Sequence, residues 1–273
     1  MDFNKQVIDE FRANNGQVGG YFEGARLLLL TTTGARSGKP HTTPLAYLHD
    51  GAGRMQVIAS AGGAPNNPAW YHNLKANPRA IVETGAFSFD VEAEVLEGAE
   101  RDAAFARAVE GDPGWAGYQA KTTRTIPVVA LRVTAPRWDS APSGGAFLKL
   151  VHDGFRRELA LIRKELSDSG RPGLGAQLRI NCLTVCQGLH HHHTGEDTMM
   201  FPGLAEQHPS LAPALARLAE EHERIAVLLE ELKQALSGED PLKVRAEIER
   251  LIDELEAHLT YEEEQLIPIL DLA

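Results

Sequence analysis

The chain has 273 residues, 43% of them hydrophobic and 24% charged, with a net charge of −11. That balance suits one or two globular domains and argues against nucleic acid or an anionic membrane as a partner, since both select basic patches. The longest clean aliphatic run, Leu27-Leu28-Leu29-Leu30, is far short of the roughly 20 apolar residues of a membrane span.

The polar N-terminus, MDFNKQVIDEFRANNG, has no signal-peptide core. Cys182 and Cys186, four apart on one expected helix, give no disulfide framework. A reducing cytoplasm is therefore the expected location, with both thiols as small packing residues.

Up to about residue 140, short β-branched or aliphatic runs alternate with Gly/Pro/Asn turns. Strands are expected at 26–32, 42–48, 55–60, 80–83, 88–95 and 126–133, and helices at 3–14, 68–77 and 99–109. This mixture fits an α+β domain built on a small barrel. Three segments in it carry chemistry. Thr33-Gly34-Ala35-Arg36-Ser37-Gly38-Lys39 is a glycine-bearing basic turn after a strand, suited to an anion but without Walker spacing. In Ser60-Ala61-Gly62-Gly63-Ala64-Pro65-Asn66-Asn67-Pro68 two glycines allow a ligand close to the backbone. Pro68 then opens a helix whose N-terminus favours negative charge. Trp70 and His72 follow and could equally be core. The third segment is Tyr118 with Thr122, Thr123 and Arg124, read as a helix-to-strand connection.

Together these segments resemble the deazaflavin-dependent nitroreductase family. The likeness rests on Gly-Ala-Arg-Ser-Gly-Lys, on Gly-Gly-Ala-Pro-x-Asn-Pro-x-Trp-Tyr-His-Asn-Leu and on Lys75-Ala76-Asn77-Pro78, within about residues 5–135. The resemblance implies a split β-barrel of the FMN-binding type that takes coenzyme F-420, with FMN as the alternative cofactor. It implies that Arg36 and Lys39, with Ser37 between them, hold the phosphate and oligoglutamate tail. Ser60, Gly62, Gly63, Ala64, Asn66 and Trp70 would then line the coenzyme cradle. Ala61 brings no charge to that cradle, and the tyrosine-rich wall of nitroimidazole reducers is thin, leaving Trp115 and Tyr118. Tyr118 is the candidate catalytic residue, orienting or protonating an acceptor. Quinone or nitro compounds are the expected acceptor class.

Residues 135–145 are rich in Pro, Ser and Gly, and 139–145 are read as a linker between domains 1–138 and 146–273. Beyond it the hydrophobic period is 3.6. Helices are expected at 146–167, stopped by Gly170-Arg171-Pro172-Gly173, at 174–200, ended by Phe201-Pro202-Gly203, at 213–236 and at 241–266. Four such helices with short connections make an all-α up-and-down bundle.

The eleven histidines matter through their placement. His152, His192, His222 and His258 each fall on the apolar stripe of a different helix, and Glu196 and Glu262 follow two of them at i+4, on the same face. A glutamate on a buried stripe costs several kcal/mol unless it is paired, and a metal ion offsets that cost. A lone buried histidine is usually an ordinary core residue; four stripes carrying one each, with two glutamates, call for another explanation. Mixed imidazole and carboxylate donors suit iron better than structural zinc. The pattern His…His-x-x-x-Glu…His…His-x-x-x-Glu is similar to the hemerythrin-like (HHE cation-binding) family over about residues 147–270. That resemblance implies two iron ions held by His152, His192, Glu196, His222, His258 and Glu262, with His193 as the candidate fifth imidazole and His190 in an outer role. It implies O2, peroxide or nitric oxide as partners. The expected function is a deazaflavin-dependent oxidoreductase fused to a di-iron domain, the alternative being a sensor of O2, iron or redox state that regulates the reductase. A homodimer is open.

Overall fold

The structure is a computed structural model, and it describes residues 3–85, 87–137, 143–168, 174–238 and 240–272. The chain divides into two compact units, Met1–Asp139 with Gly175–Ile180, and Ser140–Leu174 with Asn181–Ala273. Among the described residues no helix is long and apolar enough to cross a membrane.

The first unit is built from α1 (Phe3–Ala13), β1 (Leu27–Thr33), β2 (Pro40–His49), β3 (Arg54–Ile58), α2 (Ala69–Ala76), β4 (Arg79–Thr84), β5 (Phe87–Val95), α3 (Gly98–Gly111), α4 (Gly114–Ala120) and β6 (Val128–Arg137). The strands close an antiparallel barrel in the order β1-β2-β3-β6-β5-β4. The Leu27–Leu30 run explains how β1 serves two layers, because alternate side chains of a strand face opposite ways. Leu28 and Leu30 join Val57, Val82, Val129 and Leu131 inside the barrel, while Leu27 and Leu29 pack outward on Val7 and Phe11 of α1. Helix α2 closes the interior with Trp70, Tyr71 and Leu74.

Two expectations are corrected here. Strand β6 continues to Arg137, past the expected end at 133, because the β5–β6 register shifts between Asp90 and Val91. Such a bulge lets Pro136 sit opposite Phe89 without a ladder amide, and Arg137 Nη1 bonds Asp90 Oδ1 at 2.9 Å. Helix α4 forms where only a connection was read. Of the expected linker, residues 139–142 lie outside the described residues, as do Gly170–Gly173, whereas Gly144 and Gly145 already belong to a helix.

The second unit holds α5 (Gly144–Asp168), α6 (Ala176–Gly195) from Asn181 onward, a wide π-turn (Glu196–Met200), α7 (Phe201–Gln207), α8 (Ala212–Ser237) and α9 (Pro241–Leu270). Gly145 is required where α5 meets the end of α9, since a Cβ there would stand 2.5 Å from Asp271 Oδ1 and 2.9 Å from Ile267. Asp240 caps α9, its carboxylate accepting from the amides of Leu242 (3.0 Å) and Lys243 (3.3 Å) ahead of which Pro241 takes the first turn. The expected stop at 201–203 is also corrected. The π-turn bonds the Phe201 amide to the Glu196 carbonyl, and Pro202 then falls in the first turn of α7, where its missing amide is harmless.

Candidate metal centre and coenzyme loops

The apolar stripes deliver their polar members to one place in the second unit. His193, His222 and His258 form one group, and His152, His192, Glu196 and Glu262 another; within each group one donor atom per residue lies within 4.8 Å of all the others. The glutamates lie between the groups. Glu196 has Oε1 3.3 Å from His192 Nε2 and Oε2 3.6 Å from His222 Nε2. Glu262 Oε2 lies 3.4 Å from His152 Nε2 and 3.5 Å from His258 Nε2. His193 stacks on His222 with ring centroids 4.1 Å apart. The seven side chains are buried or nearly so, with Glu262 and His152 fully enclosed. His190, by contrast, is exposed, so the outer role raised for it is not seen.

The test of whether these residues suit metal ions is what their polar atoms do without one. The Nε2 atoms of His152, His192, His193, His222 and His258 and both carboxylate oxygens of Glu196 and Glu262 are buried without a hydrogen-bond partner. Each such atom costs about 1–3 kcal/mol, and more for a charged group. Five imidazole nitrogens and two carboxylates, all turned inward, are a donor set that suits bound metal. Three of the opposite ring nitrogens are satisfied: His152 Nδ1 pairs with Glu263 Oε1 at 3.0 Å, His222 Nδ1 with Asp197 Oδ1 at 2.8 Å and His258 Nδ1 with Glu221 Oε2 at 3.0 Å. A proton kept on Nδ1 leaves Nε2 as the ligating lone pair.

The electrostatics carry the same signature. Burial, with the charge of Glu262 second, pushes Glu196 up to about 10. Burial acts on Glu262 too, but the imidazoles around it, His152 foremost, outweigh it and hold that carboxyl below its usual range. Burial and neighbouring imidazoles pull His192 down to about 3 and His193 lower still. His258 is likewise lowered by burial. Neutral imidazoles beside two carboxyl groups that cannot comfortably share one unit of space are the state a divalent cation stabilises.

In the barrel unit, the basic turn between β1 and β2 is closed by Gly34 N–H to Lys39 O and Gly38 N–H to Gly34 O, both 2.8 Å. Arg36, Ser37 and Lys39 are exposed, and Ser37 Oγ is engaged with His41 Nε2 at 3.1 Å. Buried Asn73 of α2 ties this turn down, its Oδ1 accepting from Ala35 N–H and its Nδ2 donating to Thr32 Oγ1, each 3.0 Å. In the second loop, Ala61, Gly62 and Gly63 have successive φ of 47°, 63° and 85°. The left-handed alanine there costs about 1 kcal/mol or more. A Cβ on Gly63 would stand 2.7 Å from the Tyr118 carbonyl of α4, while one on Gly62 would meet nothing within 4 Å. Gly63 thus lets α4 approach, and Gly62 leaves the backbone open to a ligand. Tyr118 is half-buried, edge-on to Trp115 at 5.9 Å. Trp70, expected to line the cradle, is 5% exposed and belongs to the barrel core cluster.

Residue-type reasoning named Arg124 without giving it the loop to hold, and it overlooked the carboxylates behind the histidines. Arg124 is bonded to the carbonyls of Ala59 (3.0 Å), Ser60 (2.7 Å) and Ala64 (2.9 Å) and to Asn67 Oδ1 (2.6 Å), so one guanidinium fixes the whole glycine loop. Glu221, Glu263 and Asp197 were passed over because each sits next to a ligand candidate and reads as a solvated charge. The overlooked signal was an arginine at i−4 from Glu221.

A closed barrel with an open glycine-rich loop, joined to helices that converge seven inward donors, defines a two-domain protein of the oxidoreductase and cation-binding kind. Residues 4–133 match the family model for F-420H(2)-dependent quinone reductase, and residues 143–270 match the hemerythrin HHE cation binding domain. The chain is 40% identical over 125 residues to an F-420H(2)-dependent quinone reductase of Mycobacterium tuberculosis, spanning 44% of this chain and 83% of that protein. A solved F-420-H2 dependent reductase (FDR-A) is 44% identical, with a TM-score of 0.36 over 39% of this chain and 94% of that one. Another solved chain, described as a domain-swapped dimer, is 39% identical, with a TM-score of 0.38 over 47% of this chain and 93% of that one. The chain belongs to the F-420H(2)-dependent quinone reductase family and carries a hemerythrin HHE domain as its second half. Its first half is an oxidoreductase domain of the deazaflavin-dependent class.

Proposed function

We propose that this chain passes a hydride from reduced coenzyme F-420 to a small acceptor of the quinone or nitro class, and that its second domain holds two iron ions that meet O2, peroxide or nitric oxide. Family membership favours the deazaflavin over FMN. When bound, the coenzyme supplies the hydride and the iron pair supplies one-electron chemistry.

The chain's own part is orientation. Arg36 and Lys39 offer exposed cations for the phosphate and acidic tail, and Ser37 shapes their turn. The backbone of Ser60, Gly62, Gly63, Ala64 and Asn66 forms the cradle, held by Arg124. Tyr118, on the helix that Gly63 admits, would be the group that orients the acceptor. In the bundle, His193, His222 and His258 would hold one ion and His152, His192, Glu196 and Glu262 the other. Five imidazoles with two carboxylates suit iron rather than structural zinc. The buried thiols Cys182 and Cys186, neither of them in a disulfide, support a reducing compartment.

The observation that carries the metal reading is the set of buried donor atoms left without protein partners. Its test is anaerobic turnover of the reduced coenzyme with a quinone, then with O2, in wild type and His222→Ala. Quinone turnover in both proteins, with an O2-dependent increment only in the wild type, supports the reading. Equal O2-dependent turnover in the two proteins refutes it.

A further inference from the structure

Two arginine–glutamate pairs reach the donor cluster from its outer side, and they are matched. Glu263 accepts from His152 Nδ1 and is bonded by Arg156 Nη1 at 2.6 Å. Glu221 accepts from His258 Nδ1 and is bonded by Arg217 Nε at 2.8 Å. Arg217 is itself seated over the Tyr261 ring, 3.6 Å from its centre. The two histidines so held are the pair that Glu262 Oε2 approaches, and they belong to different donor groups. Glu221 is buried, and a buried carboxylate is retained only when paired and hydrogen-bonded. Each pairing fixes the proton of its imidazole on Nδ1, leaving Nε2 toward the centre.

Resting on the metal reading above, we propose that Arg156–Glu263 and Arg217–Glu221 are positioning relays, one for each ion. They hold His152 and His258 in the ligating tautomer and orientation before metal enters. The two halves of the centre are therefore separately addressable. Loss of Glu221 weakens the ion held by His193, His222 and His258, and loss of Glu263 weakens the ion held by His152 and His192.

The test is anaerobic Fe(II) titration of the full chain against a competing chelator, in wild type, Glu221→Ala and Glu263→Ala. The isosteric Glu221→Gln and Glu263→Gln keep an acceptor if an alanine variant folds poorly, which circular dichroism of the metal-free protein reports. Each alanine variant is expected to keep one ion at wild-type affinity and to bind the other about 10–100-fold more weakly, with the glutamine variants in between. A purely structural role would not move histidine tautomers, which long-range proton–nitrogen NMR reads directly. In Glu221→Ala, His258 loses its Nδ1–H preference while His152 keeps it, and the reverse holds in Glu263→Ala. Two ions in the wild type with unchanged affinities and tautomers in the variants overturn the proposal alone. No ion in the wild type overturns the metal reading and the proposal with it.

Discussion

Removing the metal should leave a domain whose stability falls with rising pH, and the size of that fall follows from Glu196. Its carboxyl is pushed up to about 10, chiefly by burial and then by Glu262. Above the ordinary glutamate range the folded metal-free protein therefore holds a proton that the unfolded chain has released. Stability is then fully present below the unfolded value and is lost as pH rises toward the folded one. The loss is about 1.4 kcal/mol per pH unit, or roughly 3 kcal/mol across two units above neutrality. On the acid side His192, His193 and His258 are held neutral. Their contribution is present above the ordinary imidazole range and is lost as pH falls below it. The metal-free optimum thus lies near the ordinary imidazole pKa of about 6.5. Bound cations keep Glu196 ionised in the folded state, so its contribution to the alkaline slope vanishes. Melts of the helical signal, metal-free against iron-loaded, should show a midpoint gap widening by on the order of 10 °C from about pH 6.5 to 8.5. A gap that stays constant or narrows over that range would refute the reasoning.

Other substitutions test the remaining parts. Arg124→Met removes four hydrogen bonds from the glycine loop and should cost about 2–4 kcal/mol in urea unfolding of the barrel; fluorescence titration should show weakened deazaflavin binding, and Arg124→Lys should not restore it. Gly63→Ala forces a Cβ into a φ of 85° and against the Tyr118 carbonyl at 2.7 Å; a loss of about 2 kcal/mol or more is expected, and a neutral result in the same denaturation assay would show that α4 yields. Leu218→Ala empties a fully buried position one turn before His222 and should destabilise the bundle by about 3–5 kcal/mol, read as a lower midpoint of the helical circular dichroism signal.

Much of this architecture was legible because its signals are periodic. The stripe through Leu215, Leu218, His222, Ile225 and Leu229 is buried as its spacing requires, and so is the one through Leu251, Leu255, His258 and Glu262. The Leu27–Leu30 run lies in the strand expected at 26–32, and the structure buries it on both faces. What escaped is set by tertiary contacts that leave no period. The π-turn at Glu196 rescues Pro202, so a local stop signal did not stop the chain. Helix α4 is short, and its acceptance depends on a glycine some fifty residues earlier. The outer carboxylates Glu221 and Glu263 looked like surface charge, because only the fold brings an imidazole from another helix within 3.0 Å.

The most direct test of the central claim is the metal content of the purified full chain, measured together with X-ray absorption at the iron edge. The convergence of His152, His192, His193, Glu196, His222, His258 and Glu262 predicts two iron ions per chain with only nitrogen and oxygen neighbours and a short iron–iron vector. Wild-type protein that takes up no iron on anaerobic reconstitution, or that binds iron through sulfur, would contradict it.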